Sequence, residues 1–456
     1  MGYDIEHVRT QHPVGQGSFH SASVTVVRPS GRYRFDYVYD CGGLTSRGRR
    51  TSAVKAAVEA YSPRQEQRVS EDGEEVVSVI DALILSHFDY DHINGAKLLA
   101  AKCEVTRIYA PYLSPIEMAL EISRQAHSVT GPYLDQLFSV ANGGSLWGVP
   151  VTRVQGGPGD GPNDLDNPTR RPKEPNQDER FNDEAHRSPF PGRMQAVVTS
   201  TGATPGDVIE HARNLALDVH GERIWQLRFW NHQVPEEMLF YTWTFLDAVG
   251  FPLQALKDPN GAAAVLAWLA TKKNRDDAVD AYVAAFRLLG TAASPLSTAE
   301  HVPNLISLGL FSGPWPWARP TPTYNYTVLP PYEWHDHFWP YFDELDNVGW
   351  LGTGDALLGE PDIWADFSAH YSAELPRVQT VLLPHHGAAP VGGPAFYHPG
   401  LNHRRHIQSV ISAGARNRYG HPREEVLTQV RKLGGHLQIV TETWERGFRE
   451  FAWIEI

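Results

Sequence analysis

The hexad His87-Phe88-Asp89-Tyr90-Asp91-His92 follows an apolar run at 82–85 and precedes a helix-like stretch at 93–100. In an extended segment residues 87, 89 and 91 point the same way, and a tight turn at Asp91-His92 can bring in a fourth ligand. Imidazole and carboxylate suit zinc, and two carboxylates also admit manganese or iron. The hexad therefore predicts the start of two adjacent metal sites. The alternative is a solvated polar turn after a buried strand.

The same arrangement, an apolar run that stops at a polar turn, recurs three times later in the chain. The three runs and the turns that follow them are 348–351 with Gly352-Thr353-Gly354-Asp355, 378–383 with Pro384-His385-His386-Gly387, and 407–411 with the loop through Asn417 and His421. Strands that end in polar residues place those residues at one edge of a sheet, where α/β folds build their sites. A single such edge is usually an ordinary turn with a helix cap. Four in one chain favour a shared functional site.

These motifs, together with Tyr39-Asp40-Cys41-Gly42, resemble those of the metallo-β-lactamase superfamily. Within it, the chain most resembles the branch found in the cytoplasmic domain of the competence protein ComEC. The residues that carry this closer resemblance are Val14-Gly15-Gln16-Gly17, Asp89 where most members have His, and Gly420-His421-Pro422. Ser18 departs from the pattern, because the opening motif usually continues with Asp at that position.

The resemblance covers roughly residues 10–105 and 300–456 and implies an α/β fold, the metallo-β-lactamase αββα sandwich, with a long, mainly helical insertion. The predicted domains are the N-terminal half of the metallo-β-lactamase domain at 1–109, the insertion at 110–300, and the C-terminal half at 301–456. The insertion is expected to contain a loop at 156–191 and a helical subdomain. Apolar residues at helical spacing predict its helices at 207–217, 235–249 and 262–289.

The resemblance also implies roles for the individual ligands of two divalent metal ions, zinc or manganese. His87 and Asp89 belong to the first metal, Asp91 and His92 to the second, Asp355 bridges them, and His385 completes the second site. Asn304 and Ser307 are candidates for completing the first site, with His301 and His232 as alternatives. Asp40 is expected to orient a metal-bound histidine. His386 either binds a metal or supports a ligand, and Ser412 and Asn417 line the pocket.

Paired metals would lower the pKa of a shared water, so the resemblance implies hydrolysis by a metal-bound hydroxide without a Ser or Cys nucleophile. Asp91 and His421 are the predicted catalytic residues. His421 is expected to protonate the leaving group or hold a phosphate oxygen. The alternative is that His421 only begins the following helix.

The function that these features favour is a metal-dependent phosphodiesterase or nuclease acting on DNA or RNA. The aromatic-rich segment 313–346 could stack bases, or pack as a hairpin over a sheet edge. A formal net charge of −13 disfavours an open basic track, although basic clusters occur at 47–50, 403–406, Arg416 and Arg418. The alternatives are a hydrolase of small phosphoesters, esters or amides, and a partner-gated module of a multiprotein system with an interface at 110–300.

Composition predicts a cytoplasmic enzyme with no membrane association. Hydrophobic residues make up 41% of the 456 residues, enough for a buried core. No apolar run approaches the length of about 20 residues needed to cross a bilayer, and the first residues lack the features of a signal peptide. The two cysteines, Cys41 and Cys103, do not suggest a disulfide framework.

Overall fold

A computed structural model of the chain describes residues 3–44, 52–70, 73–156, 192–198, 208–210, 214–288, 304–316, 323–329, 343–345, 348–388, 407–417, 419–433, 435–443 and 446–455. The predicted basic clusters at 47–50 and 403–406, Arg418, His301 and nearly all of the predicted loop at 156–191 lie outside the described residues.

Strands and helices alternate along much of the chain. The strands are β1 Asp4–Gln11, β2 Phe19–Arg28, β3 Gly31–Cys41, β4 Arg64–Ser70, β5 Gly73–Ile80, β6 Ala82–Ile84, β7 Glu104–Val105, β8 Ile108–Pro111, β9 Ser145–Leu146, β10 Val149–Gln155, β11 Gly192–Arg193, β12 Gln195–Val198, β13 Val208–Glu210, β14 Asn214–Val219, β15 Glu222–Asn231, β16 Leu308–Pro314, β17 Thr323–Leu329, β18 Asp343–Leu345, β19 Gly349–Gly352, β20 Val378–Leu382, β21 Gln408–Ser412, β22 His436–Val440 and β23 Phe448–Glu455. The α-helices are α1 Ala53–Ala60, α2 Tyr90–Ile93, α3 Ala96–Lys102, α4 Pro115–Arg124, α5 Gly131–Ala141, α6 Glu236–Ala248, α7 Ala262–Trp268, α8 Lys272–Leu288, α9 Pro361–His370 and α10 Glu424–Lys432.

Two large mixed sheets form the centre of the molecule. The first has the order β13-β10-β8-β6-β3-β2-β1-β23-β17-β18, and the second has the order β12-β14-β15-β16-β19-β20-β21-β22. Strands β3, β6, β8 and β10 run parallel to one another, as do β19, β20, β21 and β22. Each sheet therefore has a parallel part whose strands share a carboxyl edge.

The sheets face each other and carry helices on their outer faces. Ala82 and Ile84 of β6 pack into the apolar core between the sheets, whereas the intervening Leu83 packs into the outer core with the helices. This alternation follows from the period of two in a strand, which sends neighbouring side chains to opposite faces. The apolar run before the hexad thus contributes to both cores. The fold is the predicted αββα sandwich.

The region 110–300, predicted as an insertion, contributes to both sheets. Strand β10 pairs with β8 in the first sheet, and β14 and β15 extend the second sheet beside β16. Helices α4, α6 and α8 pack against one another on the outside of the sandwich. The predicted helices at 235–249 and 262–289 are present, the latter divided into α7 and α8.

The prediction of a helix at 207–217 is wrong. The described parts of this segment belong to β13 and β14. Leu215 and Leu217 of β14 both enter the core between the sheets, as expected for a strand with a period of two. A short apolar run fits helix and strand periodicity almost equally, and here the pairing with β15 decides in favour of the strand.

The aromatic-rich segment 313–346 is only partly described. Strand β17 pairs with β23 and with β18, so the described part extends an edge of the first sheet. Cys41 and Cys103 are both buried and not disulfide-bonded. Over the described ranges, no helix combines the length and the hydropathy that crossing a bilayer requires.

Buried histidines in and beside the sandwich predict sensitivity to acid. Burial and the nearby Arg449 lower the pKa of His12 to about 3, and burial also places the pKa values of His7 and His20 well below the usual range. The folded chain therefore binds fewer protons than the unfolded chain below about pH 6.5. The stability that this difference gives is complete above about pH 6.5 and decreases as the pH falls towards 3.

The free energy of unfolding of the wild type should fall between pH 8 and pH 5. We expect this fall to be about 2 kcal/mol smaller in a His12→Gln variant. Urea unfolding at both pH values, with a chelator present to remove the contribution of bound metal, measures this difference. His436→Gln, at an exposed histidine, is the matched control and should follow the wild type. Equal losses in His12→Gln and the wild type would contradict the prediction.

Candidate metal centre

The chemistry-bearing residues meet where the parallel strands of both sheets end. Asp40 lies at the end of β3, and the hexad follows β6, its parallel neighbour in the first sheet. In the second sheet Asp355, the pair His385 and His386, and the loop 413–423 follow β19, β20 and β21. The backbone N–H of Leu308 donates to the carbonyl of Ser86 at 2.7 Å and ties the two sheets together here.

Asp40 and Ser86 form the base of the site and are both fully buried. One Asp40 oxygen, Oδ1, accepts the backbone N–H of Ser86 at 2.7 Å, and Oδ2 accepts the Ser86 hydroxyl at 2.7 Å and His92 Nδ1 at 2.8 Å. Asp40 adopts a left-handed backbone with φ of +56°. Such strain in a residue other than glycine is typical of functional sites. Asp40 thus orients the ring of His92.

The hydrogen bonds at the base fix the protonation of three imidazole rings. The carboxylate of Asp40 can only accept, so Nδ1 of His92 carries the proton. The Ser86 hydroxyl donates to Asp40 and therefore accepts from Nδ1 of His87, at 2.8 Å. His386 Nδ1 lies 2.8 Å from the carbonyl oxygen of Ser412, which is also only an acceptor. In all three rings Nδ1 is therefore used by a hydrogen bond, which leaves Nε2 as the nitrogen that faces the site and can bind a cation.

The Nε2 atoms and the nearby carboxylates form two groups of three ligands. The groups, each with its ligand atoms within 4.8 Å of one another, are His87, His92 and Asp355, and Asp91, His92 and His386. His386 Nε2 lies 3.3 Å from His92 Nε2 and 3.4 Å from Asp91 Oδ2. These spacings are compatible with ligands about 2 Å from a common ion.

The two oxygens of Asp355 face different histidines. Oδ1 lies 3.3 Å from Nε2 of His92 and 3.9 Å from Nε2 of His386. Oδ2 lies 3.6 Å from Nε2 of His87 and 3.8 Å from Nε2 of His385. Asp355 therefore lies between two pairs of histidines, with one oxygen towards each pair.

His385 and His386 point into different halves of the site although they are adjacent in sequence. Both have left-handed backbones, with φ of +49° and +55°, and their ring planes are inclined by 73°. The prediction from sequence assigned His385 to the second site with Asp91 and His92. The geometry places His386 there instead, and it places His385 near the oxygen of Asp355 that faces His87.

The hexad is not extended along its whole length. This differs from the sequence interpretation, in which residues 87, 89 and 91 lie on one extended segment. Residues Tyr90–Ile93 form the helical turn α2, so Asp91 and His92 project from a helix. Glycines let two loops approach this turn: a Cβ at Gly17 or at Gly42 would lie 2.4 Å from the carbonyl oxygen of Asp91. The backbone N–H of Ser18 donates to the same oxygen at 3.2 Å. The glycine-rich opening therefore supports the turn that carries two ligands.

The electrostatic field of the site favours positive charge. Burial raises the pKa of Asp355, but four surrounding histidines outweigh burial and hold this pKa well below its usual range. Burial lowers the pKa of His92, yet Asp355 and Asp40 raise it well above the usual value. A proton or a metal cation among these groups benefits from the same neighbouring carboxylates.

Asp89 has partners that the sequence did not reveal. Both of its oxygens accept hydrogen bonds from the guanidinium of Arg124, and Gln125 Nε2 lies 2.6 Å from Oδ1. Burial raises the pKa of Asp89, but Arg124 and His87 hold it well below the usual range. Asp89 Oδ2 also lies 3.6 Å from His87 Nε2, on the side of the first ligand group.

The candidates for completing the first site have other hydrogen bonds. The side-chain oxygen of Asn304 accepts the backbone N–H of Ile306 at 3.0 Å, and the Ser307 hydroxyl accepts the backbone N–H of Asp355 at 2.9 Å. Ser307 therefore positions Asp355. His232 stacks on Trp230 of β15 and lies 3.3 Å from Asp366 of α9. The third predicted alternative, His301, is outside the described residues.

The loop after β21 carries the remaining predicted residues. Asn417 holds the loop together, because its side chain bonds the backbone of Gly414, Tyr419 and His421. Its expected place in the lining of the pocket stays a prediction. The ring of His421 lies 5.8 Å from the ring of His385 and is stacked with Tyr419. Ser412 supports His386 through its carbonyl oxygen.

The electrostatics of His421 disagree with one of its predicted roles. Burial, together with His385 and His386, lowers the pKa of His421 to about 3. The ring is therefore neutral near pH 7 and has no imidazolium proton to give to a leaving group. A neutral ring can still hold a phosphate oxygen through an N–H, and Nδ1 is buried with no hydrogen-bond partner among the described residues.

The donor set fits divalent metal ions. His87 Nε2 and Asp355 Oδ1 are buried and make no hydrogen bond to any residue that the structure describes, which is costly unless another group is bound there. Neutral imidazole and ionised carboxylate are the ligands that zinc and manganese accept. Four of the residues in the two groups, His87, Asp91, His92 and Asp355, are among the ligands proposed from the sequence, and His386 is the fifth.

Comparison with known proteins agrees with this geometry. The family model described as Metallo-beta-lactamase superfamily matches residues 18–201, a segment that includes Asp40 and the whole hexad. No curated protein matches the chain. Asp355, His385 and His386 lie beyond the matched segment, but the fold brings them to the hexad. Residues 18–201 therefore match a metallo-β-lactamase superfamily domain, and this superfamily consists largely of metal-dependent hydrolases.

Proposed function

We propose that the chain is a two-metal phosphodiesterase that acts on nucleic acid. The observation that carries the proposal is that the two carboxylate oxygens of Asp355 face different histidines. One oxygen lies 3.3 Å from His92 Nε2 and the other lies 3.6 Å from His87 Nε2. The ligands of the first metal are His87, Asp89, Asp355 and His385. Those of the second are Asp91, His92, His386 and Asp355. Zinc and manganese both suit this set of nitrogens and oxygens.

Two such ions, when bound, activate water and stabilise the attacking and leaving oxygens of an in-line displacement at phosphorus. The residues of the chain orient the metal ligands. Asp40 and Ser86 hold the rings of His92 and His87 so that their Nε2 atoms face the site. Asp91 contributes its carboxylate from the helical turn, and His421 holds a phosphate oxygen as a neutral donor. In this proposal no Ser or Cys side chain acts as the nucleophile.

Side chains at the rim support a nucleic-acid substrate. Tyr90, between Asp89 and Asp91, is 68% exposed and offers an aromatic face on which a base can stack. Arg416 and Arg423 are exposed on the loop that carries Tyr419 and His421. They supply local positive charge for a phosphate backbone, despite the net charge of −13. Resemblance to the ComEC branch points to the same substrate class.

The test is cleavage of labelled single-stranded DNA, double-stranded DNA and RNA with added manganese or zinc. The double variant Asp91→Ala, His92→Ala is the control. Cleavage that the control lacks and that weakens with increasing salt would support the proposal. Bis(p-nitrophenyl) phosphate, a small phosphodiester, is assayed in parallel.

The acidic net charge favours a second candidate, the hydrolysis of a small phosphoester. Turnover of the small phosphodiester without cleavage or binding of any nucleic acid at low salt would overturn the first proposal in favour of this one. Bound metal with no turnover of either substrate would favour an enzyme that needs a protein partner.

A further inference from the structure

Arg124 connects the helical layer to the first group of ligands. It lies in the last turn of α4 and is 9% exposed. Its guanidinium contacts both oxygens of Asp89, with Nη1 at 3.1 Å from Oδ2. Gln125, which ends the helix, places Nε2 2.6 Å from Oδ1 of the same carboxylate. Two residues from one helix end thus hold a side chain of the hexad.

These contacts select one oxygen of Asp89 for the metal. Oδ1 receives both Arg124 Nη2 and Gln125 Nε2, whereas Oδ2 receives only Nη1 of Arg124 among the hydrogen bonds of the described residues. Oδ2 is also the atom that lies 3.6 Å from Nε2 of His87. The carboxylate can therefore bind a cation beside His87 through Oδ2 while Oδ1 remains fixed.

Glu121 preserves the negative charge that a cation needs. It is 1% exposed, and its oxygens accept Arg124 Nη2 at 2.8 Å and Nε at 3.2 Å. Tyr133 also donates to Glu121, at 3.0 Å. Because Arg124 is shared by two carboxylates, one net negative charge remains on Asp89, Glu121 and Arg124 together. Arg124 thus orients Asp89 without neutralising this part of the site.

Helix α4 gives this network a rigid base. Its N-terminus has a capping box, in which Ser114 Oγ accepts the N–H of Glu117 and the Glu117 carboxylate accepts the N–H of Ser114. The helix is buried from Met118 to Arg124 and packs against α6 and α8. The position of Arg124 therefore depends on the helical layer as a whole.

We propose that Arg124 is a positioning residue that presents Asp89 to the first metal, so that the helical layer of region 110–300 is part of the metal centre. The inference rests on the two-metal centre proposed above. It predicts that a change at Arg124 weakens metal binding at the first site selectively and leaves the second site, which contains His386, unaffected.

The test is metal titration of the full chain after removal of bound metal with a chelator. Calorimetry with zinc or manganese gives the affinities, and elemental analysis gives the number of ions retained. Arg124→Lys keeps the charge but loses the fork that grips both oxygens. We expect a fall of about 10- to 100-fold in the affinity of the first site and no change in the second.

Arg275→Lys is the matched control, because Arg275 lies in α8 and donates to carbonyl groups of Leu269 and Ala270. It should bind two ions as the wild type does. Should Arg124→Lys fail to fold, Gln125→Ala removes one donor to Asp89 without changing any charge and should weaken the same site.

The outcomes separate this inference from the proposal on which it rests. The positioning role would be overturned if the folded Arg124→Lys variant, or Gln125→Ala in its place, bound two ions with wild-type affinities. That result would leave the two-metal centre intact. A wild-type chain that binds fewer than two ions would overturn the two-metal centre itself. Equal weakening of both sites would also contradict the positioning role.

Discussion

The variant Asp355→Asn is expected to bind less than one metal ion per chain and to lose about 10³-fold in the proposed phosphodiesterase activity, equivalent to about 4 kcal/mol. Asp355 faces His87 with one oxygen and His92 with the other, so both ligand groups depend on it. The amide removes the negative charge and replaces one ligating oxygen with an NH₂ group. Elemental analysis of the purified chain and a rate assay with manganese measure the two effects.

Asp362→Asn is the control for this change. It makes the same substitution at an exposed position of α9, in the same half of the chain, and should retain both ions and the full rate. The backbone of Asp355 is held by Ser307, so the substituted side chain should remain in place and the fold should survive. Two bound ions with a normal rate in Asp355→Asn would rule out a bridging role.

Separate glycine substitutions at His385 and His386 are expected to remove different metal ions. His385→Gly should lose the first ion, because His385 lies beside the Asp355 oxygen that faces His87. His386→Gly should lose the second, which Asp91 and His92 share. We expect the affected affinity to fall at least about 100-fold in each case, with the other site retained. Calorimetric titration with zinc resolves the two sites.

Glycine is the informative replacement because both histidines have left-handed backbones, a conformation that glycine adopts without strain. Loss of metal then reflects the missing imidazole instead of a distorted turn. An exposed histidine, His436, gives the control variant His436→Gly. Loss of the same ion in both variants, or retention of two ions by His385→Gly, would refute the division of the two histidines.

The local sequence determines much of the site because its ligands follow apolar strands. The runs 82–85, 348–351, 378–383 and 407–411 stop at polar turns, so the sequence predicted that the polar residues of these turns lie together where the strands end. The hexad was recognised from residue type and spacing, and Asp40 from the family resemblance. The close approach of Gly17 and Gly42 to the carbonyl oxygen of Asp91 was not predicted and is seen only in the structure.

Tertiary structure alone decided which groups meet across the chain. The left-handed backbones of His385 and His386, which no residue pattern announces, send adjacent rings to different oxygens of Asp355. The segment 207–217 became strand through pairing with β15, although its apolar spacing also fits a helix. Arg124 lies 35 residues from Asp89, and their bidentate pair arises from the packing of α4 against the sandwich. Sequence thus determined the chemistry of the strand ends, because period and residue type are local. The pairing of ligands and supports depended on long-range packing, which local patterns do not encode.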